Sequence, residues 1–382
     1  MSDAAVFDAA IESALLQLAT LQARLPVAFP GGTTEGNRYA PRELYGHPPG
    51  SNVGWTTGFW TGLLWMAWEL TGKARYLASA QAHVESFAQR IERRVNVDHH
   101  DMGFLYTPSC VAAWKLTGDA RARVAALAAA DCLLERFLPA AGIIQAWGDL
   151  DDPQQRGRII IDSLLNLPLL HWASEVTGRP AYRDAALSHL ARSRDTLVRA
   201  DGSSHHTFHF DVRTGAPLHG STAQGVADDS CWARGQAWGI YGFALNHRWA
   251  PELGLLPVAL RQAEFFLQRL PPDGIACWDL SFAPDSGEPV DSSASAIAVC
   301  GLLELGGHLD AAQAAPLRAH AYRILDSLAQ RCAAHVPDSD ALLLHGVYSK
   351  PHRKGVDEAN LWGDYFYLEA LLRATRGWQG HW

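Results

Sequence analysis

The residue that most strongly suggests chemistry is Asp162, the one carboxylate in the apolar stretch 158–172, RIIIDSLLNLPLLHW. The stretch is predicted to be helical. Because isoleucines precede Asp162 and a leucine-rich run follows it, an ionised side chain there is costly unless it is paired, hydrogen-bonded or protonated. Asn166 lies one predicted helical turn away, where its amide could orient the acid or touch a ligand. The alternative is that Asp162 caps its own helix.

A second polar cluster precedes a predicted apolar helix in residues 97–104, VDHHDMGF, and it contains Asp98, His99, His100 and Asp101. The cluster suggests a metal site, but adjacent residues rarely point to one centre, and no HExxH-like pair is present. We therefore predict no metal. Asp98 or Asp101 could cap the helix instead. If Asp101 faces the same cavity as a second acid, two carboxylates in unlike environments could divide acid and base roles.

A third candidate group lies in residues 227–243, ADDSCWARGQAWGIYGF, which place Arg234 and Trp238 on one face of a predicted helix. A buried guanidinium beside an indole can bind a carboxylate and stack on a ring, which suits an acidic sugar. The alternative is that Arg234 pairs with Asp228 or Asp229 and only stabilises the fold.

Aromatic residues are abundant, with 14 Trp, 10 Tyr and 13 Phe. Their rings suit both large cores and sugar-binding clefts. Trp55 and Phe59 lie four residues apart at another predicted helix start, and Trp147 ends the loop GIIQAW. Each could form a wall for a sugar ring, although a single such residue is more typical of a core.

These candidates are carried by a repeating pattern of helices, in which an apolar stretch is followed by an amphipathic one. Three apolar stretches end in Thr-Gly, at Thr71-Gly72, Thr117-Gly118 and Thr177-Gly178. The predicted pairs are 55–70 with 74–94, 102–116 with 120–137, 159–176 with 182–199, 232–246 with 257–270, 292–305 with 311–331, and 362–375 with 6–24.

Repeated units that cannot bury their apolar faces alone must stack or close into a ring. Extended segments are short, such as 205–210, so we predict an all-α protein with one domain over residues 1–382. Six inner and six outer helices predict an (α/α)6 barrel, with an open solenoid as the alternative. The loops that enter the inner helices are rich in Gly, His, Asp and Trp. The functional site is therefore expected at the barrel mouth where the inner helices begin.

Composition limits the possible partners. The net charge of -8 gives no basic surface for nucleic acid, and no apolar run is long enough to span a membrane. Six scattered cysteines lack CxxC or CxxH spacing, so we expect them reduced and buried. The N-terminus carries acids where a signal peptide would be basic, which favours a cytoplasmic protein.

The chain resembles the unsaturated glucuronyl hydrolases of glycoside hydrolase family 88. The motifs that carry the resemblance run in order from Trp55 to Leu372: WTTGFWTGLLW, HHDMGF, IIQAW, IIDSLLNLPLL, DGSSHHTFHFD, QGVADDSCWARGQAWGIYGFA, CWDL, DSSASA and LWGDYFYLEALLR. The resemblance implies the same barrel and the release of a 4,5-unsaturated uronic acid from the non-reducing end of oligosaccharides made by polysaccharide lyases. No cofactor is implied.

The implied reaction is hydration of the C4=C5 vinyl ether rather than direct attack at the anomeric carbon. By motif position Asp162 would be the general acid and then the base for water, while Asp101 would hold sugar hydroxyls and help keep Asp162 protonated. His206 matches the active-site His, with His205 and His209 as alternatives. The other residues that match substrate contacts are His100, Gln224 and Arg234, the aromatic residues Trp55, Phe59, Trp147 and Trp238, and Ser349 near the aglycone.

Three alternatives remain open. An unsaturated rhamnogalacturonyl hydrolase would share the fold and chemistry, a cofactor-free sugar epimerase would use paired His on inner helices, and a sugar-binding protein would leave the substrate intact. The basic residues Lys350, Arg353 and Lys354 could attract sulfate, but the sequence leaves the aglycone, its sulfation and the oligomeric state undetermined.

Overall fold

The computed structural model describes residues 3–152, 154–283, 285–333 and 339–382. Its helices are α1 (Asp3–Arg24), α2 (Thr57–Thr71), α3 (Ala74–Glu92), α4 (Met102–Tyr106), α5 (Ala112–Thr117), α6 (Ala120–Glu135), α7 (Pro168–Thr177), α8 (Pro180–Thr196), α9 (Ala233–Asn246), α10 (Leu255–Gln268), α11 (Ser292–Gly307), α12 (Ala311–Arg331) and α13 (Leu361–Arg376). A π-helical turn, Thr107–Val111, joins α4 to α5, so these two act as one inner helix.

The inner helices form a closed ring. Going round it, α2 contacts α4, α4 contacts α7, the turn before α7 contacts α9, α9 contacts α11, α11 contacts α13, and α13 contacts α2. The amphipathic helices pack outside this ring, with α1 against α12 and α13. The predicted (α/α)6 barrel is confirmed, and the open solenoid is wrong because α13 returns to α2.

The three Thr-Gly dipeptides end inner helices with the same local geometry. Gly72, Gly118 and Gly178 follow α2, α5 and α7 with φ of 63°, 72° and 71°. This left-handed conformation is strained for residues with a Cβ, which explains the glycine. In each case the preceding threonine hydroxyl donates to the carbonyl four residues back, at 2.6–2.7 Å. The repeated dipeptide is therefore a helix terminator.

Short strands lie in the loops at the mouth. They are β1 (Phe137–Leu138), β2 (Ile143–Ile144), β3 (Arg158–Ile160), β4 (Thr207–Phe210), β5 (Pro217–Ser221), β6 (Gly346–Ser349) and β7 (Lys354–Glu358). In the three-stranded sheet β3–β4–β5, Ile160 of β3 pairs antiparallel with Thr207 of β4. Two loops that are far apart in sequence are thereby joined.

The stretch 158–172 corrects one prediction. It is not one helix: it begins as β3, continues as the 3-10 turn Ile161–Leu165, and enters α7 only at Pro168. A short apolar run can be a buried strand or a helix, and periodicity alone does not separate them. Asp162 therefore lies on a tight turn at the barrel mouth rather than in a helix wall.

The end of the barrel where the inner helices finish is filled by residues that follow α13. Trp382 is buried, stacks on Phe366 with ring centroids 5.9 Å apart, and meets Phe104 edge-on at 6.3 Å. Its indole Nε1 donates to Glu369 at 2.9 Å. Lys115, in the last turn of α5, donates to the carbonyl of His381 at 2.8 Å. This end of the barrel interior is closed.

All six cysteines are buried and free, as predicted. In the part of the chain that the structure describes, no helix is long and apolar enough to cross a membrane.

Candidate active site

A cavity of about 240 Å³ lies at the barrel mouth where the inner helices begin. Its walls are Trp55, His100, Asp101, Trp147, Ile160, Asp162, His206, Ala223, Gln224 and Tyr348. An adjoining outer cavity of about 690 Å³ shares Trp55, Asp101, Trp147 and Tyr348 with it. Seven of the residues selected from sequence therefore meet in one place, although they come from four separate loops between helices.

Asp162 is buried in the wall of this cavity. Its side chain is 7% exposed, and no hydrogen-bond partner is present for Oδ1 among the described residues. Burial raises the pKa of Asp162 to about 6; His100 and Arg234 oppose this rise, and Asp101 adds to it. The capping alternative is wrong, since Ile160 is the residue before the 3-10 turn and no side chain caps the turn. Asp162 is thus suited to donate a proton near neutral pH.

Asp101 lies immediately before α4, held by two histidines. His100 Nε2 is 3.3 Å from its Oδ1 and His99 Nδ1 is 3.2 Å from its Oδ2. Burial alone would raise the pKa of Asp101, but the two histidines outweigh it, and the pKa lies well below its ordinary value. The carboxylate does not cap α4, so that alternative is wrong for Asp101 as well. Asp98 instead pairs with the buried Arg136.

The two carboxylates therefore have opposite preferences within one cavity. Asp162 favours its protonated form and Asp101 its ionised form. One carboxyl group can then act as an acid while the other stabilises charge, because the two differ in their preferred protonation state.

His206 reaches the cavity through strand pairing. Its carbonyl accepts a hydrogen bond from the amide of Ile161 at 3.1 Å, which places it beside Asp162. Its Nδ1 accepts from the amide of Ala223 at 3.3 Å, so the ring proton lies on Nε2, which has no partner among the described residues. Burial lowers the pKa of His206 to about 3, so the ring is neutral at pH 7. The alternatives His205 and His209 do not line the cavity.

Arg234 lies behind the cavity wall rather than in it. Its Nη1 donates to Asp291 Oδ2 at 2.7 Å and to the carbonyl of Val347 at 2.5 Å. Its Nη2 donates to Gln224 Oε1 at 2.9 Å and to the carbonyl of Tyr348 at 2.7 Å. The alternative pairing of Arg234 with Asp228 or Asp229 is wrong, because both are exposed and the partner is the buried Asp291. The guanidinium fixes Gln224 and Tyr348, which do line the cavity.

Three aromatic side chains form walls of the cavity. Trp55 stacks on Trp362 at 4.9 Å, and its Nε1 donates to Tyr348 OH at 2.8 Å. Trp147 lies with its ring centroid 6.4 Å from that of His206. These faces are suited to pack against a sugar ring.

Three other predicted residues do not line the cavity. Phe59 and Trp238 are fully buried and pack around Phe104, at 5.3 Å and 5.1 Å between ring centroids. Ser349 is 4% exposed, and its hydroxyl lies 2.8 Å from His352 Nδ1. Within the described residues no three His, Cys, Asp or Glu side chains are grouped so that they could hold a metal ion.

A family model described as Glycosyl Hydrolase Family 88 matches residues 34–327. The chain belongs to glycosyl hydrolase family 88. The resemblance seen in the motifs is confirmed.

Relatives within family 88 cover nearly the whole chain. An unsaturated chondroitin disaccharide hydrolase of Streptococcus pyogenes serotype M1 is 45% identical over 96% of this chain and 92% of its own length. An unsaturated glucuronyl hydrolase of Bacillus sp. (strain GL1) is 48% identical over 87% of this chain and 89% of its own. The crystal structure of unsaturated glucuronyl hydrolase from Streptococcus agalactiae has a TM-score of 0.95 and 42% identity, covering 100% of this chain and 94% of that one.

Two parts of this family 88 site were missed by the sequence reasoning. Tyr348 lines both cavities, although only its neighbour Ser349 was selected. The segment before α2, including Arg42 and Glu43, forms much of the outer wall. That segment has no helical periodicity and no concentrated set of reactive side chains, so its sequence carried no signal.

Proposed function

We propose that this hydrolase releases the 4,5-unsaturated uronic acid from the non-reducing end of lyase-generated oligosaccharides. The single observation that carries the proposal is one cavity in which Asp162 favours its proton and Asp101 does not. The names of its relatives, which act on unsaturated chondroitin disaccharides or unsaturated glucuronyl groups, support this substrate class.

The reaction begins at the vinyl ether. Asp162 donates its proton to C4, and the positive charge that develops is shared between C5 and the ring oxygen. The Asp162 carboxylate then takes a proton from a water molecule, whose oxygen bonds to C5. The resulting hemiketal opens, C1 becomes an aldehyde, and the aglycone leaves with its oxygen protonated. Asp162 ends the cycle protonated again.

The surrounding residues have supporting roles in this proposal. Asp101 holds sugar hydroxyls and, as an anion, opposes loss of the Asp162 proton. Neutral His206 can donate from Nε2 to the sugar or the water. Trp55, Trp147 and Tyr348 enclose the ring, and the oligosaccharide beyond the first sugar would occupy the outer cavity.

We also propose that residues 1–382 form one catalytic domain, because buried side chains from Phe7 to Trp382 belong to one hydrophobic cluster. Six free, buried cysteines support a cytoplasmic location.

The test is the loss of ultraviolet absorbance of the C4=C5 bond with unsaturated chondroitin, hyaluronan, heparin and rhamnogalacturonan disaccharides. We expect loss with the glucuronyl substrates from wild type and none from Asp162→Asn, with substrate binding retained. Loss of absorbance with the rhamnogalacturonan substrate alone would identify the protein as an unsaturated rhamnogalacturonyl hydrolase instead. Binding without any loss by wild type would contradict the proposal.

A further inference from the structure

The two carboxylates of the cavity are carried by different elements, since Asp101 precedes α4 and Asp162 lies in the 3-10 turn before α7. The side chain of Asn166 connects these elements. Its Oδ1 accepts from the amide of Phe104 at 2.7 Å, and its Nδ2 donates to the carbonyl of Asp162 at 3.3 Å. Asn166 is 1% exposed, so both contacts are shielded from water.

We propose that Asn166 is a positioning residue that caps α4 in place of Asp101 and so keeps the Asp101 carboxylate in the cavity beside Asp162. The proposal rests on the function given above, in which these two acids act on one sugar.

The capping geometry carries the argument. Met102, Gly103 and Phe104 are the first three residues of α4, and a side chain at Asp101 would ordinarily accept from the amide of Gly103 or Phe104. Asp101 makes no such bond. The backbone amide of Phe104 already donates its hydrogen bond to Asn166. The Asp101 carboxylate therefore contacts His99 and His100 instead of capping the helix.

The fit between the elements is close at the backbone. A Cβ built on Gly103 would lie 2.2 Å from Asn166 Cα and 2.6 Å from its carbonyl oxygen. Real Cβ atoms do not approach so closely, so α4 and the turn contact each other through main chain at this point. Asn166 therefore acts across an interface that has no room for another side chain.

Replacing Asn166 by Ala would remove its side-chain amide. The buried backbone N–H of Phe104 would then have lost its hydrogen-bond acceptor. Asp101 precedes α4, and we expect its carboxylate to turn towards this backbone amide and accept from it. That rotation would move its charge away from Asp162 and from the sugar. Asn166→Ala is thus expected to reproduce part of the loss of Asp101 itself.

The readout is the pH dependence of kcat/KM, because a purely structural role would not move it. The groups that act on Asp162 are His100 and Asp101 from the α4 side and Arg234 from α9, with His206 in the same cavity. Of these, Asp101 raises the pKa of Asp162, whereas His100 and Arg234 lower it. Above the pKa of Asp162, kcat/KM falls as pH rises, and we call this part of the pH profile the basic limb. Moving the Asp101 charge away therefore shifts the basic limb to lower pH.

We expect Asn166→Ala to lower kcat by about 100-fold, the scale seen when catalytic groups are misplaced by about 1 Å. Its basic limb should shift to lower pH, in the same direction as that of Asp101→Asn. Asn166→Asp keeps the acceptor for Phe104 and adds a negative charge near Asp162. It should retain more activity than the alanine variant, with its basic limb at or above the wild-type position.

The matched control is Asn246→Ala. Asn246 is also fully buried, and its Nδ2 donates at 2.7 Å to the carbonyl of Leu164 in the same 3-10 turn, but it makes no bond to α4. The Asn246→Ala variant should have a lower melting temperature than wild type, and the basic limb of its kcat/KM profile should stay at the wild-type pH.

Folding of each variant is checked by circular dichroism. If Asn166→Ala lost stability but kept the wild-type limb and kcat, or if Asn246→Ala shifted the limb equally, the inference would be overturned. A wild type that does not hydrate the substrate would refute the proposed function instead, so the two failures are distinguishable.

Discussion

Replacing Asp162 by Asn should abolish turnover and at the same time stabilise the fold. Burial raises the pKa of this carboxyl from 3.8 to about 6, so between these values the folded chain holds a proton that the unfolded chain has released. Stability contributed by this group therefore falls as pH rises through that window and stays low above it. Asparagine resembles the protonated acid and does not titrate, so it is spared this loss.

The size of the effect follows from the shift. With about 1.36 kcal/mol per pKa unit, the gain of Asp162→Asn over wild type should be about 2 kcal/mol at pH 5 and about 3 kcal/mol at pH 8. A constant offset from the exchange of oxygen for nitrogen adds to both values. The increase of this gain between the two pH values, about 1 kcal/mol, is the part that reports the buried charge.

Urea unfolding of wild type and Asp162→Asn at pH 5, 6, 7 and 8 measures this growth. Asp229→Asn is the control, because it makes the same substitution at an exposed position. A difference between Asp162→Asn and wild type that is independent of pH, or that shrinks as pH rises, would refute the claim that Asp162 is held protonated by burial.

Three further outcomes are expected. Wild-type kcat/KM, followed by absorbance, should be level below about pH 6 and fall about tenfold per unit above it, since Asp162 must carry its proton. Trp382→Ala should cost about 3–5 kcal/mol of unfolding free energy in urea, because it empties the closed end of the barrel, whereas the partly exposed Trp378→Ala should cost much less. Asp291→Ala should cost about 3–5 kcal/mol in the same assay, because it leaves the Arg234 guanidinium buried without its counter-charge.

The barrel could be predicted from sequence because its signals are local. Buried inner helices are apolar on all sides, outer helices are apolar on one side, and the Thr-Gly pairs terminate helices by their own backbone geometry. Each of these sequence signals depends on residues within one or two helical turns of one another. The resulting order of elements then leaves a closed ring as the arrangement that buries every apolar face.

The details of the site were less accessible because they depend on partners far away in sequence. Asp291 lies 57 residues from Arg234, and no spacing rule relates them. The strand at Arg158–Ile160 exists because β4 supplies the pairing edge, so an apolar stretch that could have continued as helix is held extended. The capping of α4 by Asn166, from a residue 62 positions on, is hidden for the same reason.

The cost of burying Asp162 and its proposed chemistry have the same origin. The apolar wall that includes Ile160 destabilises the ionised acid, and the His pair at Asp101 prevents the second carboxylate from sharing the proton. A better-solvated Asp162 would make the folded protein more stable at neutral pH, but the acid would then be ionised before it could protonate C4. Stability and turnover should therefore move in opposite directions for substitutions that change only the polarity around Asp162. Ile160→Thr, which brings a hydroxyl to the cavity wall beside Asp162, should shift the basic limb of kcat/KM to lower pH. A limb unchanged in that variant, with the fold intact, would show that the wall does not set the proton affinity of the acid.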